Sequence, residues 1–505
     1  MKKSVRQLAG IFGMLVFLVM TGTTLAQDAT VPRFEQLGEC FLPEYNIDGV
    51  DCGYVIVPEE HGVDNDRTLS IPVVRLISKA NTGEPPIFLA AGGPGGNIMS
   101  FAQKLTSDLP NVADVLTHRD IVFFNQRGTL YAQPYLDCPD LTTARLETGS
   151  AGTRGEARRD AITAATQACY DRHVANDVNF NAFDSIENAA DVNDIRTVFG
   201  YDQIFFYGQS YGTVLAQHIM RDFPAILAGV ILDGSTSLAM PTWAEDTSRK
   251  FQVTMDRIAA ACDANEACHA AYPDLTTLFN DSIMALAADP LTVTVKDPRS
   301  TTDEEIDIVM DDVLASRAVV DALYTSFTIS LLPSSMASLE NRQLGLLFPL
   351  LLPVDADTAG TAMMMHFAIV CAEDPVLSLD DVPHDSAYDF ANIDALDDAA
   401  DYFYACNILN VEPLPDYTDE NVVSDIPALF LSGYLDPATP NFRSEEIAAS
   451  LANSYTYVFL GGSHVQLSEN ACAGSILVQF LNDPTTAPDG SCIDQQPGVT
   501  IAVPE

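Results

Sequence analysis

The sequence predicts an α/β protein: a mostly parallel sheet flanked by helices, with a large, mostly helical segment inserted between core strands. Short, continuous apolar runs recur along the chain, each ending in a Gly-rich turn and followed by a helical pattern. Runs without polar alternation are the mark of strands buried on both faces. Between about residues 241 and 420 the pattern changes to Ala-rich helical periodicity with few strand signals. The composition, 47% hydrophobic over 505 residues, allows an ample core.

Met1-Lys2-Lys3-Ser4-Val5-Arg6 is basic, Leu8 to Met20 is apolar, and Thr24-Leu25-Ala26 is a small-residue exit. This reads as a secretory signal over residues 1–26, cleaved after Ala26. The apolar run is shorter than the roughly 20 residues a bilayer span needs. No Cys follows it to carry a lipid anchor, and no later run is long enough to cross. Tyr54–Val57 and Leu69–Ile77, separated by a turn-rich stretch, read as a hairpin. Buried strands are then expected at Pro86–Ala90, Asp120–Phe124, Gln203–Tyr207, Gly229–Leu232, Ala428–Gly433 and Thr456–Gly462. Gly149–Gly155 reads as a surface loop. Helical patterns cover Phe251–Ala271, Leu275–Ala288, Asp307–Leu323 and Ala391–Leu409. The expected organisation is a signal at 1–26, a first core part at 27–240, a helical lid at 241–420 and a second core part at 421–505.

The chain carries 25 Lys+Arg against 70 Asp+Glu, a formal charge of −45 that falls to about −48 once Lys2, Lys3 and Arg6 leave with the signal. Nucleic-acid binding needs clustered cations, as does adhesion to anionic lipid, so both are disfavoured. The ten cysteines, an even number behind an export signal, read as disulfides. Chain order suggests neighbouring pairs, with Cys262–Cys268 the most local. Close CxxC or Cys/His clusters of the kind a metal needs are absent from the sequence, and no metal or organic cofactor is implied.

Gly208-Gln209-Ser210-Tyr211-Gly212 is a G-x-S-x-G between a strand and a helical segment. There the sharp turn holds a serine strained and exposed, which marks Ser210 as a nucleophile. A serine needs a base oriented by a third group. Of eight histidines, only His464 follows a late core strand, in Gly461-Gly462-Ser463-His464. Asp436, after the strand ending at Gly433, is the expected acid, with Asp233 its rival. The oxyanion would take one N–H from Tyr211 and another from Gly92-Gly93-Pro94-Gly95-Gly96, with Gly93 and Gly95 as the candidates.

Gly-Gly-Pro-Gly-Gly, Asn125-Gln126-Arg127-Gly128-Thr129, Gly-Gln-Ser-Tyr-Gly, Ser432-Gly433-Tyr434-Leu435-Asp436-Pro437 and Gly-Ser-His together resemble the α/β-hydrolase family of secreted tripeptidyl and prolyl aminopeptidases. The region from Pro427 to Cys492 resembles the C-terminal domain of the tripeptidyl branch. The resemblance implies an α/β-hydrolase fold with Ser210 as nucleophile, Asp436 as acid and His464 as base. It departs at Ala91, where prolyl iminopeptidases usually have His, and at Leu130-Tyr131-Ala132. It also implies a carboxylate clamp for a substrate's free amine. Glu373, then Asp374, at the end of a lid helix are the candidates.

The expected function is therefore an exported serine aminopeptidase acting on short peptides by a Ser-His-Asp acyl-enzyme route, without stable membrane association. A carboxylic-ester hydrolase with the same triad is the alternative, and a catalytically silent binding protein the remote one. Only Lys79, Lys104, Lys250 and Lys296 remain as lysines beyond the signal, so the acidity is spread over the whole chain. That favours a solubilising coat over local steering. Activity is expected to persist well above physiological salt; a steep fall of kcat/KM with rising NaCl would show steering instead.

Overall fold

The computed structural model describes residues 30–80, 82–99, 112–239, 246–300, 302, 304–339, 341–343, 345 and 360–503. The expected signal at 1–26 lies outside the described residues. Nine strands form one sheet: β1 (Arg33–Gln36), β2 (Val50–Pro58), β3 (Thr68–Leu76), β4 (Ile87–Ala90), β5 (Ile121–Phe124), β6 (Ile204–Gln209), β7 (Leu227–Asp233), β10 (Ala428–Gly433) and β11 (Ser454–Phe459). Their order is β1-β2-β3-β5-β4-β6-β7-β10-β11. The first three pairings are antiparallel, and every pairing from β5 to β11 is parallel.

The apolar runs are buried on both sides, as their lack of alternation requires. Phe88, Phe206 and Phe430 enter one core, with the helix Tyr211–Asp222. Their neighbours Leu89, Phe205 and Leu429 enter the other, with the helix Ala471–Asn482. Strand alternation sends successive side chains to opposite faces, so one run feeds two cores. Each expected strand is present to within a few residues; β1 is additional.

Between β7 and β10 the chain is mostly helical and builds a core of its own from Phe251, Met255, Phe279, Ile283, Met336 and Phe390. Leu275–Ala288 is helical as the pattern predicts, and Ala391–Leu409 lies within the helix Asp389–Leu409. Phe251–Ala271 divides into the helices Thr247–Asp263 and Glu266–Ala271. The expected helix at Asp307–Leu323 is different: Glu305–Met310 is a strand, β9, paired with β8 (Leu291–Lys296), and the helix runs Asp312–Ala322. The period-two alternation of Leu-Thr-Val-Thr-Val-Lys and Glu-Ile-Asp-Ile-Val-Met carries that hairpin. Gly149–Gly155 is no open loop either. The helix Pro139–Ala151 runs through Gly149, which packs on Ile308 of the hairpin, and ends where Gly152 turns left-handed at φ 62°. The next helix begins at Gly155.

Five disulfides join consecutive cysteines: Cys40–Cys52, Cys138–Cys169, Cys262–Cys268, Cys371–Cys406 and Cys472–Cys492. No helix of the described residues is long and apolar enough to cross a membrane.

Arg127, at the C-terminal end of β5, is fully buried and bonds Asp191 through two nitrogens at 2.7 and 2.8 Å. It also meets Glu187 at 3.2 Å and donates to the carbonyls of Glu59 and Ala182. Glu187 in turn holds the backbone and the ring of His61. Burial alone would lower the His61 pKa, but Asp194 and Glu187 outweigh it and raise it to about 10. One guanidinium thus ties the β5 loop to the loop after β2 and to the helix Ser185–Phe199. Removing one member of a buried ion pair leaves the other charges uncompensated. Arg127→Met is expected to destabilise the fold by about 3–5 kcal/mol, read as a lowered urea midpoint at unchanged m-value.

Candidate active site

The parallel strands β4, β6, β7, β10 and β11 are consecutive neighbours in the sheet, and their C-terminal ends lie along one edge. Ligand sites of open α/β sheets form at such an edge. The Gly92–Gly96 loop, Ser210, Asp436 and His464 follow β4, β6, β10 and β11, and Asp233 is the last residue of β7.

Ser210 sits between β6 and the helix Tyr211–Asp222 at φ 54°, ψ −123°, a conformation non-glycine residues hold only under constraint. Its N–H donates to Asp233 O at 2.9 Å, and its carbonyl accepts from Thr213 N and Oγ1 at 2.8 and 2.7 Å. The turn is tight enough that a Cβ on Gly208 would lie 2.0 Å from Gly212 O. A Cβ on Gly92 would lie 2.5 Å from the Ser210 Cβ, so that loop meets the serine only as glycine.

His464 Nδ1 lies 2.9 and 3.0 Å from the two carboxylate oxygens of Asp436. Asp436 is fully buried and also accepts from Ala438 N, Thr439 N and Thr439 Oγ1 at 2.7–2.9 Å. Burial pushes its pKa up, but His464 and the Thr439 donors outweigh that and hold it below the usual carboxylate value. Burial pushes His464 down, and Asp436 outweighs it, so the imidazole pKa is raised. The ring of Tyr324 stands edge-on to the imidazole at 5.1 Å. Among the described residues no hydrogen bond joins Ser210 Oγ to His464; such bonds are commonly long before substrate binds.

Asp233 does not hold the imidazole. Its carboxylate accepts from Gln466 N, Leu467 N and Tyr207 OH at 2.7–2.9 Å, pinning the loop just past His464. Val465 in that loop has φ 62°, rare for a β-branched residue. Burial pushes Asp233 up to about 6, against the opposing effect of these three donors.

A family model described as alpha/beta hydrolase fold matches residues 85–294, and one described as TAP-like protein matches residues 394–492. The chain has the α/β-hydrolase fold. The second match begins inside the helix Asp389–Leu409, upstream of β10. Serine protease Hip1 of Mycobacterium tuberculosis is 25% identical over 487 residues, covering 88% of this chain and 87% of its own. Putative hydrolase YuaR of Escherichia coli is 26% identical over 253 residues, 46% and 48% of the two chains. Tripeptidyl aminopeptidase of Streptomyces coelicolor is 24% identical over 193 residues, 36% and 35%.

In this hydrolase Ser210, Tyr211, Gly93 and Thr439 line a cleft of about 410 Å³. The two expected oxyanion glycines part company. Gly93, at φ 116°, faces the cleft, whereas Gly95 packs against the inserted segment, accepting from Ala362 N at 2.9 Å. His366 lies between Pro94 O (2.9 Å) and Tyr402 OH (3.0 Å), and burial lowers its pKa to about 4.

The two residues expected as an amine clamp do not line this cleft. Glu373 and Asp374 line a separate recess of about 20 Å³ with His218 and Asp419. Glu373 accepts from Ser185 Oγ, which meets Tyr211 OH at 2.6 Å; burial pushes Glu373 up to about 8. The carboxylates that do line the Ser210 cleft are Asp321, Asp394 and Asp398. Burial pushes all three up, and Asp398 adds to the effect at Asp394. Buried Lys250 shares the cleft, its pKa lowered to about 8 by burial and Arg443. A signal for these acids is present: Asp394, Asp398 and Tyr402 recur every four residues, which puts them on one stripe of the helix.

The His464–Asp436 contact is testable without substrate. The imidazole is expected to titrate above the ordinary 6.5 in NMR of the folded protein. In Asp436→Asn the counter-charge is gone while burial remains, so the pKa is expected to drop below 6.5.

Proposed function

We propose that this α/β-hydrolase is an exported aminopeptidase that cleaves short peptides through an acyl-enzyme on Ser210. The observation that carries the reading is the set of carboxylates Asp321, Asp394 and Asp398 in the same cleft as the serine. Crowded, desolvated carboxylates gain from an incoming ammonium group, which adds positive charge to that of Arg145, Arg317 and Lys250 in the same lining. This replaces Glu373 and Asp374 in that role. The relatives named serine protease and tripeptidyl aminopeptidase support the peptidase class. The five disulfides and the signal-like residues 1–26 support export.

In this mechanism Asp394 and Asp398 hold the substrate's α-ammonium and so orient the scissile carbonyl above Ser210. Because Asp436 engages Nδ1 of His464, Nε2 is the nitrogen left to take the serine proton. Ser210 Oγ then bonds the carbonyl carbon. The N–H groups of Tyr211 and Gly93 receive the oxyanion, and His464 returns the proton to the leaving amine. Asp436 remains ionised and stabilises the imidazolium throughout. Water, deprotonated by His464, releases the acyl group. Asp233 positions the imidazole through the 466–467 backbone. The helices between β7 and β10 act as a lid that admits short, unfolded peptides.

Ser210→Ala is expected to abolish turnover and labelling by a fluorophosphonate while leaving the melting temperature unchanged. Against aminoacyl and tripeptidyl anilides, their N-acetyl forms and short acyl esters, the wild type is expected to reject the blocked amines. Asp394→Asn is expected to lower kcat/KM for free-amine anilides by about 10–100-fold, the worth of one charged hydrogen bond, and more than for esters. Equal cleavage of free and blocked anilides would refute the aminopeptidase reading.

A further inference from the structure

A second cavity, of about 210 Å³, shares the side chains of Arg145 and Arg317 with the Ser210 cleft. Five arginines line it (Arg145, Arg154, Arg158, Arg159 and Arg317), a fifth of the 25 basic residues in a strongly acidic chain. Four aspartates share the lining, and all four are engaged. Arg154 pairs with Asp311 at 3.0 Å and with Asp312. Arg145 meets Asp401 at 3.0 Å, and Arg317 meets Asp397 at 2.7 Å and Asp401 at 3.1 Å. Arg158 and Arg159, in the first turn of the helix Gly155–Ala175, have no ion pair or hydrogen bond among the described residues. Arg158 is half-buried, and burial, reinforced by Arg317, lowers its pKa despite the nearby Asp397. A partly desolvated guanidinium without a direct partner gains from an incoming carboxylate, to which its fork is matched.

The helix Asp389–Leu409 relates the two cavities. Asp394 and Asp398 line the cleft from one stripe; Asp397 and Asp401, three residues on, line the arginine cavity from the next. Adjacent stripes stand about 5–6 Å apart. That spacing is similar to the reach from the α-amine of a Glu or Asp residue to its own side-chain carboxylate. An ammonium held at Asp394 and Asp398 therefore brings an acidic side chain to Arg145 and Arg317, which line both cavities, and toward Arg158 and Arg159 in the second.

We propose that the arginine cavity receives the side-chain carboxylate of a substrate's N-terminal Glu or Asp, making the enzyme selective for acidic peptide N-termini. This rests on the aminopeptidase reading and adds a second charge to it, of opposite sign to the amine clamp. Arg158 is the specificity-determining residue.

The test compares X-anilides and X-Ala-Ala-anilides with X as Glu, Gln or Lys; these carry no free C-terminal carboxylate. Wild type is expected to favour Glu over Gln by about tenfold or more in kcat/KM, the scale of one charge-assisted hydrogen bond. Arg158→Gln, checked for folding by its melting temperature, is expected to bring that ratio close to one, and Arg158→Lys to keep part of it. Equal wild-type turnover of Glu and Gln substrates would overturn the proposal, and so would a Glu/Gln ratio unchanged in Arg158→Gln. A preference for free over amidated peptide C-termini with none for Glu over Gln would also overturn it. If every anilide is inert while acyl esters are cleaved, the aminopeptidase reading fails, and inhibition of ester cleavage decides the cavity separately. Inhibition by free glutamate but not glutamine, lost in Arg158→Gln, keeps the acidic subsite; equal effects of the two amino acids remove it.

Discussion

Asp233 sits at the junction on which the site depends. Its backbone carbonyl accepts the Ser210 N–H, and its carboxylate accepts the N–H groups of Gln466 and Leu467 just past His464. One residue at the end of β7 therefore spaces the turn after β6 against the loop after β11, two strands away in the sheet. Both of those segments are held in unfavourable backbone conformations, Ser210 at φ 54° and Val465 at φ 62°. Such conformations persist only where surrounding bonds over-determine them. The buried carboxylate with three donors provides that constraint on the histidine side, and the close-packed glycines provide it on the serine side.

Charge is arranged on two scales. Across the whole chain the acid excess is a diffuse property of the surface, compatible with solubility and unrelated to any one residue. Inside, the charges are specific. Arg127 with Asp191 and Glu187 braces the first half of the sheet, while Arg145 with Asp401 joins the helix Pro139–Ala151, before β6, to the inserted helix Asp389–Leu409, and Arg317 with Asp397 and Asp401 ties two inserted helices together. The inserted segment is thus attached to the core by a part-buried ion pair as well as by apolar packing. Ion pairs between rigid helices fix geometry more than they add stability. Here they set the position of the Asp394–Asp398 stripe relative to Ser210.

The buried strands were legible because burial on both faces leaves an unbroken apolar run, as in Ile204-Phe205-Phe206-Tyr207. The β8–β9 hairpin departs from the helix expected at Asp307 because Asp, Ile and Val suit a strand exposed on one face as well as a helix start, and pairing with the alternating run Leu291–Lys296 decides for the strand. The consecutive cysteine pairing was readable from chain order, since each disulfide closes a loop of 35 residues or fewer. Glu373 looked like a substrate contact because it is acidic and ends a helix. It is instead engaged with Ser185, whose hydroxyl lies beside Tyr211 OH, a contact 188 residues away in sequence that no local pattern encodes.

By itself the sequence determined what depends on local chemistry: the strand-turn-helix around Ser210 and the glycines that permit it. Those features are set by steric limits within a few residues, so they are visible in the string. Tertiary structure alone decided which carboxylates share the serine's cleft, that Asp233 holds a loop and not an imidazole, and that five scattered arginines converge beside Asp397 and Asp401. An isolated Asp looks the same wherever it occurs. Its surroundings, and hence its charge state and its partner, exist only once helices distant in sequence are packed together.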